Sequence, residues 1–239
     1  MSFASRLWGI DRPPSSFNPK IAIYSCNFGK YRNETISGID GGVFYDNFDY
    51  YFFTDDLSFI SKKWKIIRMV IPPDDDVMNG NRWASKDVKF NLPEILRNYE
   101  YVIWIDSKLL KFTAHISYPK VVKLLYKNPN ICLFNRLHPH RKTTEEEIQV
   151  TIKYKLENEV PGKNFLEIAS SIKNKPKLVE TEIIIRKRDK ETDDLLRECF
   201  NLMKTYKLKR DQNVYSVALA LKEYPAIKYL ATPKPLDIR

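Results

Sequence analysis

Short apolar runs alternate with amphipathic stretches along most of the chain, and this alternation limits the folds open to it more than any other feature. The apolar runs are rich in β-branched and aromatic residues and end in polar or turn-forming residues, which predicts buried strands. The stretches between them repeat apolar residues at helical spacing. Strands that alternate with helices predict an α/β fold with a mainly parallel, mixed central sheet flanked by helices.

The boundaries of the predicted elements follow from the same patterns. The predicted strands lie within 20–29, 48–56, 64–71, 101–106, 131–135 and 181–187, and the predicted helices cover 81–98, 118–127, 145–159, 193–206 and 213–223. Pro93 is expected to bend or split the first helix, and Pro161 with Gly162 is expected to end the third. The segment 136–180 is expected to make an irregular excursion from the sheet.

Length and apolar content predict one domain with a single core. The chain has 239 residues, of which 43% are hydrophobic, and this is too little for two large domains. Residues 1–19 contain Pro13, Pro14 and Pro19 and are expected to form an extended arm. Residues 20–239 are expected to form a single Rossmann-like domain.

The sequence indicates a cytoplasmic location. No apolar run approaches the length of a membrane span, and residues 1–14 lack the apolar core of a secretory signal. Cys26, Cys132 and Cys199 lie far apart and are odd in number, which does not indicate a disulfide framework or a zinc site.

The positive charge of the chain favours anionic partners. The formal net charge is +10, which suits nucleotide diphosphates, nucleic acid or an acidic membrane surface. No basic helix carries interleaved aromatic residues, so nucleic acid is not expected as a partner. Peripheral membrane contact stays open, as does a merely solvated, lysine-rich surface.

Polar residues follow several of the predicted strands at the point where each strand ends. Asn27, Asp55 and Asp106 are in this position. In parallel α/β sheets the ligand crevice lies outside the carboxyl ends of the strands. The three side chains are therefore predicted to lie around one crevice.

The triplet Asp106-Ser107-Lys108 follows a buried strand and resembles a D-x-D motif in which the second carboxylate is replaced. Paired carboxylates in this position hold a divalent ion that neutralises a diphosphate. Two readings stay open. Either another residue such as His138 completes a Mn²⁺ or Mg²⁺ site with Asp106, or Lys108 supplies the positive charge directly.

A basic helical face precedes this triplet. Arg82, Lys86 and Lys89 are spaced i, i+4 and i+7, so a helix places them on one side. They could bind phosphate groups, or they could form a solvated basic surface.

Further polar groups lie in the second half of the chain. His138 and His140 are two residues apart and could bind a metal or carry protons, whereas Thr143 and Glu146 fit a helix capping box. Asp211 opens a helix, where it is a cap, orients a substrate, or acts as the general base for an acceptor hydroxyl. Residues 74–76, three aspartates beside a turn, are expected to be a solvated loop.

Taken together and in order, these motifs resemble a glycosyltransferase-like family that includes plant mucilage-related and turgor-related Golgi proteins and bacterial members. The resemblance covers about residues 21–220. It is carried by N-F-G-x-Y at 27–31, F-x-T-D at 52–55, S-K-x-x-K at 85–89, W-I-D at 104–106, H-P-x-R at 138–141, E-T-x-x-I-x-R at 180–186 and R-D-Q at 210–212.

The resemblance implies that residues 20–239 form a GT-A-like domain that takes its sugar from a nucleoside-diphosphate sugar and depends on manganese. Asn27, Tyr31 and Asp55 would then lie near the base and ribose, and Asp211 would act near the acceptor. Asp106 and His138 would support the metal. The remaining residues expected to bind the nucleotide sugar are Arg82, Lys86, Lys89, Ser107, Lys108 and Gln212.

Three functions are therefore carried forward from the sequence. The first is a glycosyltransferase acting on a glycan, a lipid-linked molecule or a protein. The second is a nucleotidyltransferase or another nucleotide-dependent enzyme, although the glycine-rich loop usual in pyrophosphorylases is reduced here to Gly29. The third is a non-catalytic module that binds polyanions, for which strand-end carboxylates have no use.

Overall fold

Seven strands form one sheet in the computed structural model, which describes residues 13–29, 40, 43–71, 77–110, 116–224 and 227–230. The strands are β1 (Ile21–Asn27), β2 (Phe48–Thr54), β3 (Lys65–Arg68), β4 (Tyr101–Ile105), β5 (Leu133–Leu137), β6 (Val179–Lys187) and β7 (Ile227–Leu230). The helices of the described residues are α1 (Val77–Phe90), α2 (Tyr118–Tyr126), α3 (Thr144–Lys153), α4 (Glu159–Ser171), α5 (Lys190–Thr205) and α6 (Asp211–Leu221). A short 3₁₀ helix spans Glu94–Leu96.

The strand order is β3-β2-β1-β4-β6-β5-β7. β6 pairs antiparallel with both β4 and β5, whereas the other neighbouring strands pair in parallel. The chain first winds outward from β1 to β3 and then crosses to the other side of β1 to form β4, so the strand order reverses between β1 and β4. The predicted α/β, Rossmann-like fold with a mainly parallel, mixed sheet is confirmed.

The central strands are apolar throughout because helices cover both faces of the sheet. All seven residues of β1 are buried. Ala22 and Tyr24 pack on one face with side chains of α1, α5 and α6, and Ile21 and Ile23 pack on the other with side chains of α2. Continuous apolar strands of this kind are typical of sheets buried on both sides.

The first predicted helix is placed wrongly at both ends. α1 begins at Val77 and ends at Phe90, and a separate 3₁₀ helix follows Pro93, so the helical stretch is split near the proline, which was one of the two expected outcomes, and does not bend. Leu92 adopts a left-handed backbone with φ of 44°. Since proline disfavours the α conformation in the residue before it, the chain leaves the helix here and continues in the 3₁₀ helix.

The segment 136–180 is also more regular than expected, because it contains α3 and α4. Pro161 and Gly162 lie inside α4 and do not end a helix. Pro161 occupies the first turn, where its missing N–H has no intrahelical acceptor to lose. Gly162 is buried against α3, and a Cβ at this position would come within 2.8 Å of Ile152 Cδ1.

The predicted capping box at the start of α3 is confirmed. Thr143 Oγ1 accepts from the Glu146 N–H at 3.1 Å, and the Glu146 carboxylate accepts from the Thr143 N–H at 3.3 Å. α3 ends at Lys153, several residues before the predicted end. β7 has no counterpart in the sequence prediction.

Part of the predicted arm is described, whereas residues 1–12 lie outside the described residues. Residues 13–19 contain no strand or helix, and Phe17 packs edge-on against Tyr126 with 5.3 Å between the ring centres. None of the helices found in the described ranges combines the length and the apolar character that a membrane crossing requires.

Candidate functional site

A cavity of about 400 Å³ opens where the strand order reverses. Its walls come from the ends of β1 and β4, one side of α1, the start of β6, the turn after α3 and the start of α6. Open α/β sheets bind their ligands in a crevice outside the carboxyl ends of the strands, at the point where the strand order reverses. The fold therefore locates the candidate site independently of any motif.

Two of the three strand-end residues line the cavity as predicted, whereas Asp55 lies on the same edge of the sheet but is not part of the cavity wall. Asn27 ends β1 and lines the cavity, and Asp106 follows β4 and lines it as well. Asp55 follows β2, and its carboxylate accepts the N–H of Gly29 at 3.0 and 3.1 Å. Tyr31, the fourth residue expected near the nucleotide, lies outside the described residues.

Gly29 allows the loop after β1 to lie directly against α1. Its φ is +64°, and a Cβ on this residue would stand 2.0 Å from Asn81 Nδ2. A side chain would therefore clash here, and most residues would also be strained by the left-handed backbone. The close approach brings α1 up to the mouth of the cavity.

The basic face of α1 points into the cavity, as one reading of the sequence expected. Arg82, Lys86 and Lys89 all line it. Together with the other cationic lining residues they outnumber the acidic ones, so the formal charge of the wall is positive. The cationic residues are Arg82, Lys86, Lys89, Lys108, Lys155, Lys209 and Arg210, and the acidic residues are Asp106, Glu182 and Asp211.

Lys89 and Asp211 form the most buried ion pair of the cavity wall. Lys89 Nζ lies 2.6 Å from Asp211 Oδ2, and Lys86 Nζ lies 2.9 Å from the same oxygen. Only 1% of the Lys89 side chain and 8% of the Asp211 side chain are exposed. One carboxylate from α6 thus holds two ammonium groups from α1 in fixed positions.

Asp106 receives hydrogen bonds on one of its two carboxylate oxygens. Trp104 Nε1 donates to Oδ1 at 2.8 Å, and Lys89 Nζ donates to the same atom at 3.4 Å. Oδ2 has no hydrogen-bond partner among the described residues, and 29% of the side chain is exposed. Asp106 is therefore held through Oδ1 and remains partly exposed in the cavity wall.

The pKa values in this cluster follow from burial and ion pairing. Burial alone would raise the pKa of Asp211, but the ammonium groups of Lys86 and Lys89 outweigh it and bring this pKa well below its ordinary value. Burial lowers the pKa of Lys86 and is only partly offset by Asp211. A carboxylate with so low a proton affinity is a poor general base, so the surroundings of Asp211 favour a positioning role over the proton transfer suggested by the sequence.

The stability of the protein is expected to depend on Asp211 in a pH-dependent way. Because folding lowers the pKa of this group, its contribution is complete above the ordinary aspartate pKa of about 4 and is lost as the pH falls towards the lowered value. The difference in free energy of unfolding between the wild type and Asp211→Asn should be largest near pH 7 and shrink below pH 4. Urea unfolding at a series of pH values measures this difference, and a constant difference would contradict the ion pairing.

His138 is not brought to Asp106, which corrects the metal role considered for it. It does not line the cavity. Its Nδ1 accepts the N–H groups of His140 and Arg141 at 3.2 and 3.0 Å, and its Nε2 lies 3.0 Å from Arg141 Nη2. Burial, with Arg141 nearby, lowers the pKa of His138 to about 4, so the ring is neutral and holds the turn before α3 in shape.

The donor atoms of the cavity do not fit a resident Mn²⁺ or Mg²⁺ ion. Within the described ranges, no group of three or more Asp, Glu, His or Cys side chains is arranged to hold a metal. Each acidic residue of the wall already has a lysine partner: Asp106 has Lys89, Asp211 has Lys86 and Lys89, and Glu182 has Lys108. Hard divalent cations need several free oxygen ligands, and here an ammonium group lies next to each of the three carboxylates.

Two further predicted residues, Ser107 and Gln212, also line the cavity. Gln212 Oε1 accepts from Arg210 Nη2 at 3.0 Å, which steadies the guanidinium at the cavity edge. Sequence reasoning missed Glu182 and Lys209 as cavity residues. Glu182 enters the site because β6 runs antiparallel and presents its first residues at this edge, and no local pattern in the sequence reveals that direction.

Glu157 is another residue that sequence reasoning missed. It does not line the cavity, but it holds the start of α6 in place. Its carboxylate accepts the N–H groups of Lys209 and Arg210 at 2.9 to 3.0 Å. It also accepts from Asn213 Nδ2 at 3.3 Å. A carboxylate at a helix N-terminus is electrostatically favourable, and this one fixes the start of α6, from which Asp211 projects.

Comparison with known proteins adds no family assignment. No protein-family model matches the chain, and no curated protein matches it. The function is therefore inferred from the geometry and charge of the cavity.

Proposed function

We propose that the chain is a glycosyltransferase that moves a sugar from a nucleoside-diphosphate sugar to an acceptor hydroxyl. The observation that carries the proposal is the cavity at the strand-order reversal, where a cluster of cationic side chains faces three carboxylates. Cations suit the diphosphate, and a carboxylate suits the acceptor hydroxyl. The GT-A type of fold named by the sequence resemblance has the same requirements.

The cationic side of the cavity would serve the leaving group. When the bond between the sugar C1 and the diphosphate oxygen breaks, negative charge collects on the diphosphate. Fixed ammonium and guanidinium groups stabilise that charge without reorganising during the reaction. Lys86 is pre-positioned by Asp211 and Arg210 by Gln212, so both are held in place before a ligand arrives.

Asp106 is the carboxylate best suited to face the reacting atoms. Of the three acids in the wall, Asp211 is almost fully buried and Glu182 is paired with Lys108. Asp106 keeps Oδ2 without a hydrogen bond among the described residues and remains partly exposed. In this proposal the acceptor oxygen forms the new bond to C1 while its proton passes to Asp106, and the nucleoside diphosphate leaves.

The first experiment is a ligand panel. UDP-, GDP- and TDP-sugars are added to the protein, and the melting temperature and the release of free nucleotide are recorded with each donor. Stabilisation by one donor, with slow release of its nucleotide, is the expected outcome. Cleavage of nucleoside triphosphates without any response to the sugars would instead indicate another nucleotide-dependent enzyme. Salt-sensitive binding of polyanions alone would indicate a binding module.

A further inference from the structure

Lys108 places an ammonium group where a D-x-D motif has its second carboxylate. It lies two residues after Asp106 at the end of β4 and lines the same cavity. Its Nζ is ion-paired with Glu182, and 42% of its side chain is exposed. The ammonium is therefore anchored on the wall and can still be reached by a ligand in the cavity.

Lys89 places a second ammonium group beside Asp106. Its Nζ lies 3.4 Å from Asp106 Oδ1 and is fully buried. A divalent cation bound to Asp106 would have to share this carboxylate with the fixed ammonium of Lys89. The dielectric constant is low around buried groups, so the cation and the ammonium would repel each other strongly. The position that would hold a metal in a D-x-D site is thus already surrounded by positive charge.

We propose that the cavity binds the diphosphate of its donor through its own ammonium and guanidinium groups, with Lys108 in place of a metal-binding carboxylate and without a divalent cation. This inference rests on the proposed function and specifies how the donor is held. Asp211 and Glu182 then position the cations, and no acidic residue of the wall ligates a metal. The excess of cationic over acidic side chains supplies the charge that a dianionic diphosphate requires.

The test compares nucleotide binding in EDTA and in Mn²⁺ by calorimetry, with UDP, GDP and TDP as probes. The wild type is expected to bind one of them with a Kd that differs by less than about threefold between the two buffers. The reason is that its own side-chain cations, and not a metal ion, neutralise the diphosphate. Lys108→Asp restores a D-x-D motif and places a third carboxylate beside Asp106 and Glu182. In EDTA its Kd is expected to rise about tenfold or more, and Mn²⁺ is expected to restore most of this loss.

Two control variants separate the charge from its position. Lys108→Ala removes the ammonium without adding an acid, so it should bind weakly in both buffers and show no response to Mn²⁺. Lys120→Asp makes the same change of charge on the exposed surface of α2 and should behave as the wild type in both buffers. Melting curves of each variant without nucleotide verify that the fold is retained.

Three other outcomes of these binding measurements would each contradict a different claim: the metal-free site, the role of Lys108, or the proposed function itself. A wild type that binds nucleotide only with Mn²⁺ would overturn the metal-free diphosphate site while leaving the proposed function standing. A Lys108→Asp variant that binds as tightly as the wild type in EDTA would overturn the role of Lys108. If no nucleotide binds in either buffer, both the inference and the proposed function are wrong.

Discussion

Replacing Lys89 by methionine is expected to lower the free energy of unfolding by about 3 kcal/mol. The methionine fills much of the same space, but Asp211 and Asp106 lose the ammonium that lies between them at 2.6 and 3.4 Å. The cost of a buried carboxylate without its partner is several kcal/mol, and the ion pair between Lys86 and Asp211 keeps this loss at the lower end of the range. Urea unfolding at pH 7 measures it.

A double-mutant cycle shows whether the loss comes from the ion pair or from packing. In Lys89→Met/Asp211→Asn the charge removed from α1 is matched by the charge removed from α6, so the cluster keeps one ammonium, Lys86, and one carboxylate, Asp106. The double variant should lose clearly less stability than the sum of the two single variants. Additive losses would mean that Lys89 acts through packing alone.

Under the proposed glycosyltransferase function, Asp106→Asn is expected to reduce sugar transfer by about 10²–10⁴-fold, the usual effect of removing a proton-accepting group from a reacting centre. The amide has the same shape, and its oxygen can still accept from Trp104 Nε1, as the carboxylate does at 2.8 Å. It cannot take up the proton of the acceptor. Nucleotide affinity should therefore stay within about threefold of the wild type while kcat falls.

The measurement is steady-state transfer or donor hydrolysis with the donor identified in the panel, together with the Kd of its nucleotide. Asp49→Asn is a matched control, because Asp49 lies near the start of β2, outside the cavity wall, and also accepts a hydrogen bond from an aromatic side chain, Tyr99. This control should keep its activity. A fall in nucleotide affinity with unchanged kcat in Asp106→Asn would assign the residue to donor binding.

Much of the fold could be predicted from the sequence because local residue patterns indicate where strands end and which side of a helix is basic. The strand ends at Asn27, Asp55 and Asp106 were placed correctly because parallel strands end on one edge of a sheet. The basic face of α1 followed from helical spacing, and the capping box from Thr143 and Glu146. In each of these cases the deciding interactions lie within a few residues of one another or follow from the regular geometry of one element.

What could not be predicted depends on contacts between distant parts of the chain. The ion pair between Lys89 and Asp211 joins α1 to α6, and no local pattern in the sequence indicates that these two residues pair. His138 could not be separated from Asp106 by motif reasoning, because its hydrogen bonds to the turn before α3 become visible only in three dimensions. The sequence predicts a helix end at Pro161, and this is wrong because the residue lies in the first turn of α4, where proline is tolerated.

The direction of β6 has a consequence for how such a protein can diversify. Because β6 runs against its neighbours, the chain leaves the sheet after β5 at the cavity edge and re-enters it at that same edge, with Lys155 and Leu156 reaching the cavity in between. The stretch 138–178 is thus one continuous insert with both ends on the same border of the scaffold. Its contents could be exchanged without changing the path of any strand, provided that the replacement still packs the core as Ile148 and Phe165 do. It must also supply the carboxylate with which Glu157 fixes the start of α6. The lining of the cavity can change in this one segment while the strands and helices that form the rest of the cavity stay the same.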